Sequence, residues 1–81
     1  MARVTFSGSF CAEFIGDLVA LDLPATSPFH LLRLLDAQYP GLGAHLEARA
    51  AVAVNGVLVS DWTQAIAPDA EVLLLPRVAG G

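Results

Sequence analysis

Lysine is absent from all 81 residues. The chain therefore cannot form a Schiff base, supply the lysine of a phosphate-binding loop, or accept an isopeptide bond on a side chain. Cysteine is nearly as scarce: Cys11 stands alone, which excludes an internal disulfide. With His30 and His45 on separate segments and no second thiol at ligand spacing, no metal site is expected. Gly41 and Gly43 follow a helix-ending stretch without a lysine, so they make no phosphate cradle. Nothing in the spacing supports a nucleophilic Cys11–His–Asp arrangement, and the pairs Asp17/Asp22 and Asp69/Glu71 read as solvated charge. Positive charge is short as well. Four arginines against eight carboxylates leave a net charge of −4, the wrong sign for a nucleic-acid footprint. No apolar run approaches the roughly 18 residues of a membrane span. Met1-Ala2-Arg3-Val4 enters a strand pattern directly, without a signal-peptide layout. The expectations are a cytoplasmic location, no membrane, no bound cofactor and no self-contained catalytic site.

What the chain does have is apolar content. It is 56% hydrophobic and 15% charged, one small domain able to bury about 60% of its unfolded surface. That exceeds what a small core needs, and exposed apolar surplus marks candidate partner surfaces.

Arg3 to Ser9 alternates in polarity, and Asp17 to Leu23 does so again, so the two read as an antiparallel strand pair. Gly8 to Gly16 between them reads as a loop or short hairpin connection, with Phe10, Phe14 and Ile15 available to pack. Ser27-Pro28 is a helix start, a capping hydroxyl followed by a residue suited to the first turn. Leu31, Leu34, Leu35 and Tyr39 then recur at helical spacing until Tyr39-Pro40-Gly41 stops them, which predicts a helix over 28–39. Leu42 to Arg49 adds at most a short helical turn. Ala51 to Val54 and Val57 to Val59 flank Asn55-Gly56, a strong type I′ hairpin signal. An irregular stretch follows, anchored by Trp62 and Ile66, before a last strand from Glu71 to Leu75. The order β-β-α-β-β-β predicts an α+β fold: one mixed sheet of about five strands, with one main helix packed across it.

Pro76 has no N–H and cannot continue a central ladder, so residues 1–76 form the domain and 77–81 a flexible tail. Extended, Arg77 to Gly81 reaches up to roughly 17 Å. Gly80 and Gly81 lack a Cβ, so the tail's end can thread a channel too narrow for side chains. The Gly81 carboxylate, with a reference pKa of about 3.3–3.7, is ionised at neutral pH and a poor electrophile. Chemistry at that carbon needs prior activation, for instance as a mixed anhydride with AMP. The tail thus reads as a substrate arm for partner enzymes.

These residues carry a resemblance over nearly the full length. Val4-Thr5-Phe6, Leu23-Pro24, Val52-Ala53-Val54-Asn55-Gly56, Asp69-Ala70-Glu71-Val72 and above all Leu75-Pro76-Arg77-Val78-Ala79-Gly80-Gly81 resemble the ubiquitin-like β-grasp sulfur carriers. That family includes the small subunit of molybdopterin synthase and the thiamin sulfur carrier. The chain departs from the molybdopterin branch at Arg77, where a second proline is frequent, and at Ala12, where an arginine is. The absence of insertions and Pro76 before Val78-Ala79 favour that branch.

The resemblance implies a mechanism. An ATP-dependent adenylyltransferase, similar to the ubiquitin-activating class, adenylates Gly81, and a sulfur donor protein displaces AMP to leave a thiocarboxylate. The large subunit of molybdopterin synthase, in a heterotetramer, receives the tail and directs the sulfur to a pterin precursor of the molybdenum cofactor. ATP belongs to the activating enzyme. Gly81 reacts, Gly80 and Ala79 occupy the channel, and Leu73, Leu75 and Val78 form an apolar dock with Arg77 pairing an acid at its rim. The alternatives are a carrier for thiamin or another pathway, a modifier conjugated to other proteins through Gly81, and a plain interaction module with an inert tail.

Overall fold

The computed structural model of the protein describes residues 1–8 and 11–77. Its elements run β1 (Ala2–Phe6), α1 (Ala12–Ile15), β2 (Ala20–Leu23), α2 (Pro28–Gln38), α3 (Leu42–Arg49), β3 (Ala50–Val54), β4 (Val57–Val59) and β5 (Glu71–Pro76). The five strands form one mixed sheet in the order β2-β1-β5-β3-β4. β1 pairs antiparallel with β2 and parallel with β5, and β3 lies antiparallel to both β5 and β4. This is the ubiquitin-like β-grasp arrangement.

Strand alternation sorts the side chains. Val4 and Phe6 of β1, Val52 of β3, and Val72 and Leu74 of β5 are buried on the side covered by helices. Leu31, Leu32 and Leu35 of α2 meet them, joined by Leu42 and Leu46 of α3. The Ser27 hydroxyl caps α2 by accepting the His30 N–H at 3.1 Å, with Pro28 in the first turn. The loop after β4 is fastened to the start of α2: Phe29 N–H donates to Trp62 O, and Ile66 N–H to Thr26 O. Trp62 and Ile66 pack against the core.

Three local expectations are corrected. The stretch expected as a loop between the first strands contains the short helix α1, and β1 and β2 are shorter than the alternation indicated. Phe14 and Ile15 pack on the core from α1, while Phe10 falls outside the described residues. Leu42 to Arg49 is a full helix rather than a turn, because Leu42 and Leu46 are completely buried one turn apart. Its first turn is capped from a distance: Asp36 Oδ1 in α2 accepts the N–H groups of Gly41 and Gly43 at 3.1 and 3.0 Å. A Cβ at Gly43 would lie 3.0 Å from Asp36 Cβ, so a larger residue there must shift that side chain.

The third correction concerns Pro76, which is still within β5, opposite Ala50 of β3. Arg77 N–H donates to Arg49 O on that side, and Ser7 N–H donates to Leu74 O on the β1 side. Successive N–H groups of a strand point to opposite neighbours, so the missing donor of Pro76 faces β1 just where that pairing ends.

Candidate functional site

β5 delivers the chain to the site. It is the middle strand of the sheet, paired on both sides, so the residues that lead into the tail are held by two ladders. Val72 and Leu74 point into the core, which turns Leu73 and Leu75 to the helix-free face. Leu73 keeps 37% of its surface exposed and Leu75 is half-buried.

The register extends this face beyond the two leucines. Leu73 lies opposite Thr5 on one side and Ala53 on the other, Ala53 lies opposite Leu58, and Thr5 opposite Ala20. One row thus crosses all five strands as Ala20, Thr5, Leu73, Ala53 and Leu58, with no charged member. Leu58 at its edge is 66% exposed. The row on one flank is charged: Glu71, Arg3 and Asp22 are in register, with Arg3 Nε 3.4 Å from Asp22 Oδ1. Both side chains of that pair are more than half exposed, so it shapes the rim and adds little stability. On the other flank Leu75 stands opposite Ala51. The sequence reading of the dock does not include Leu58, Ala53, Thr5 or Ala20. A two-residue Asn-Gly turn does fix Ala53 against Leu58, so the extension to the sheet edge was available from the hairpin register.

Arg77 sits at the root of the tail and is exposed. Its backbone N–H reaches Arg49 O at 2.7 Å. One guanidinium nitrogen donates to Glu47 O at 3.2 Å and to Ala50 O at 2.9 Å. The carbonyls it meets belong to the C-terminal end of α3, so in the free chain this guanidinium group is directed to a helix terminus. Val78, Ala79, Gly80 and Gly81 lie outside the described residues.

Other side chains with reactive potential are occupied structurally. Cys11 is buried in the core, and burial followed by the nearby Glu13 carboxylate pushes its thiol up to about 11. A thiol so tuned is protonated at neutral pH and is a poor nucleophile. His45 stacks at an angle on Phe14, with ring centroids 5.1 Å apart, and Nδ1 lies 4.0 Å from Glu13 Oε1. His30 Nδ1 accepts the Thr26 N–H at 3.1 Å. Among the described residues no group of three or more His, Cys, Asp or Glu side chains could hold a metal ion, and no helix is long and apolar enough to cross a membrane.

The ThiS family profile matches residues 12–81, so the chain belongs to the ThiS family, the ubiquitin-like β-grasp sulfur carriers. No curated protein matches the sequence. Three solved structures are similar over 99% of this chain. One is the complex of subunits 1 and 2 of molybdopterin-converting factor from Helicobacter pylori 26695, at 24% identity, TM-score 0.68 and 97% of that chain. Another is SAMP1 from Haloferax volcanii, at 19% identity, TM-score 0.70 and 98% of that chain. The third is the HVO 2177 protein of Haloferax volcanii, at 25% identity, TM-score 0.68 and 85% of that chain.

Proposed function

We propose that the chain is the sulfur-carrying small subunit of a molybdopterin synthase, with the carbonyl carbon of Gly81 as its reacting atom. The observation that carries this reading is the ThiS-family match, which runs through Gly80 to Gly81. The molybdopterin assignment draws support from the likeness to a chain of the molybdopterin-converting factor complex, whose length this chain covers almost completely. That complex also supports a large subunit as partner.

In the proposed cycle the Gly81 carboxylate attacks the α-phosphorus of ATP on a ubiquitin-activating-like adenylyltransferase, and pyrophosphate leaves. Sulfide-level sulfur delivered by a donor protein then displaces AMP from the acyl carbon. The resulting thiocarboxylate is carried to the large subunit, where its sulfur bonds to a pterin precursor and water cleaves the acyl–sulfur bond to return the Gly81 carboxylate. This chain contributes three things. Gly80 and Ala79 are slender enough for a channel, and the absence of lysine prevents capture of the activated carbon by a lysine amine of its own molecule. The row centred on Leu73, with Leu75 and Val78 beside the tail, supplies apolar docking area. Ordering each tail residue costs about 1–2 kcal/mol of backbone entropy, which that docking must offset.

Mass spectrometry of the chain after incubation with adenylyltransferase, ATP and a sulfur source tests the reading. The expected product is heavier by the difference between one sulfur and one oxygen. Gly80→Trp should remain folded and fail to gain that mass, since an indole cannot enter the channel. Covalent adducts to other proteins would establish the modifier reading instead, and activity that survives deletion of Gly81 would eliminate chemistry at the terminus. Sulfur transfer to a thiamin precursor but not to a pterin would move the chain to the other branch.

A further inference from the structure

The last turn of a helix leaves carbonyl groups without intrahelical partners, and the aligned peptide dipoles make that end electronegative. At the end of α3 the N–H of the C-cap residue Ala50 closes the last helical bond, to Leu46 O. Three more acceptors nearby, Glu47 O, Arg49 O and Ala50 O, are all taken by one residue from a distant part of the chain. Arg77 fills Arg49 O with its backbone N–H, and Glu47 O and Ala50 O with its guanidinium group. A cation is the favourable group to place there, and the two N–H groups of one guanidinium nitrogen serve both carbonyls.

This contact lies at the junction between the domain and its last four residues. Pro76 has already ended the pairing with β1, so Arg77 is the last described point at which the chain is tied down. Counted from there, the remaining four residues have a contour length of at most roughly 13–14 Å. We propose that Arg77 is a positioning residue for the reaction at Gly81: its clamp on the end of α3 fixes where the tail leaves the domain, and so limits what a partner must order. The role rests on the carrier reading above. It also gives Arg77 a purpose within its own chain, distinct from pairing with an acid on a partner.

Two measurements on the full-length protein test the inference together. The first needs no partner: amide hydrogen exchange of the isolated chain, comparing wild type with Arg77→Ala and Arg77→Lys. The clamp predicts that the residue-77 amide exchanges at least tenfold faster in Arg77→Ala, while amides of β1 and β3 keep their protection and show the fold intact. Arg77→Lys should fall between, because the ammonium keeps the charge but ends at a different reach from the guanidinium nitrogen that donates to both carbonyls. The second is ATP–pyrophosphate exchange with the adenylyltransferase as carrier concentration is varied. Arg77→Ala should raise KM for the carrier about tenfold with kcat within twofold of wild type, and Arg77→Lys should again lie between.

Unchanged amide exchange in Arg77→Ala would overturn the clamp. Faster exchange with an unchanged KM would overturn the positioning role. A KM restored by Arg77→Lys while the residue-77 amide stays fast would reassign the cation to a partner contact. If wild type is not adenylated at all, the carrier reading falls and the positioning role with it, whereas the clamp is judged by the exchange data alone.

Discussion

Leu73 sits on the middle strand of the sheet and still keeps more than a third of its surface in solvent. A polar residue there would cost the fold little, since strand propensities differ by only about 1 kcal/mol. On the proposed carrier reading, the leucine serves a docking face rather than the stability of the fold. Leu73→Arg is expected to lower stability by no more than about 1 kcal/mol in urea titrations. The same change should weaken binding to the activating enzyme at least tenfold, about 1.4 kcal/mol, measured by calorimetry. Unchanged affinity would remove this row from the docking face. The direction of Leu73 and Leu75 could be read in advance, because once Val72 and Leu74 are assigned to the core the period of two leaves no choice. The guanidinium of Arg77 could not, for its acceptors belong to residues 47 and 50, thirty and twenty-seven positions earlier in the chain.

Among the elements, legibility followed how local the cause was. α2 begins with its own serine cap and proline, carries a clear apolar stripe, and lies within a residue of its expected span. The hairpin of β3 and β4 is likewise written in Asn55-Gly56, both with positive φ at 51° and 84°. Even here part of the role is distant: Asn55 Oδ1 accepts the Glu71 N–H at 2.9 Å, bolting the turn to the start of β5. α3 was underestimated because its start has a glycine at the N-cap and no local capping side chain. The missing acceptor comes from Asp36, one helix back. Asp36→Ala should therefore destabilise the domain by about 1 kcal/mol, the usual worth of a helix cap. Gly43→Ala should cost at least as much, because the new methyl group displaces the same carboxylate. Thermal unfolding of the two variants checks both, and a wild-type midpoint for Asp36→Ala would show the cap to be idle. α1 was missed for a different reason. Four residues between two glycines carry no period that a sequence can show, and the helix is held by Phe14 and Ile15 packing on the core.

Taken as a whole, the described residues enclose an apolar interior. Among the described residues no charged or polar side chain is buried, and no buried side-chain nitrogen or oxygen lacks a partner. Cys11 is the one titratable group in that interior, and its effect on stability has a definite sign. The folded chain holds the thiol proton up to about pH 11, against an ordinary value of 9.0. Between those values the unfolded chain is the more deprotonated, so stability falls as pH rises. The contribution is intact below about pH 9, declines toward pH 11 and levels off above it. Urea midpoints for wild type and Cys11→Ala, measured across that range, should differ least in slope below pH 9, with wild type declining more steeply above. Parallel profiles would show that the thiol is not linked to folding.

The middle strand of this sheet is also the last to be synthesised. β1 waits for a neighbour 68 positions later, since Arg3 pairs with Glu71, and β3 waits for the same strand. Without β5, the pair β1–β2 and the pair β3–β4 share no strand-to-strand hydrogen bonds. Closure of so distant a pairing is slow compared with helix formation. The sheet therefore cannot close until β5 is available, so the residues beyond Pro76 adjoin the strand on which closure of the whole body depends.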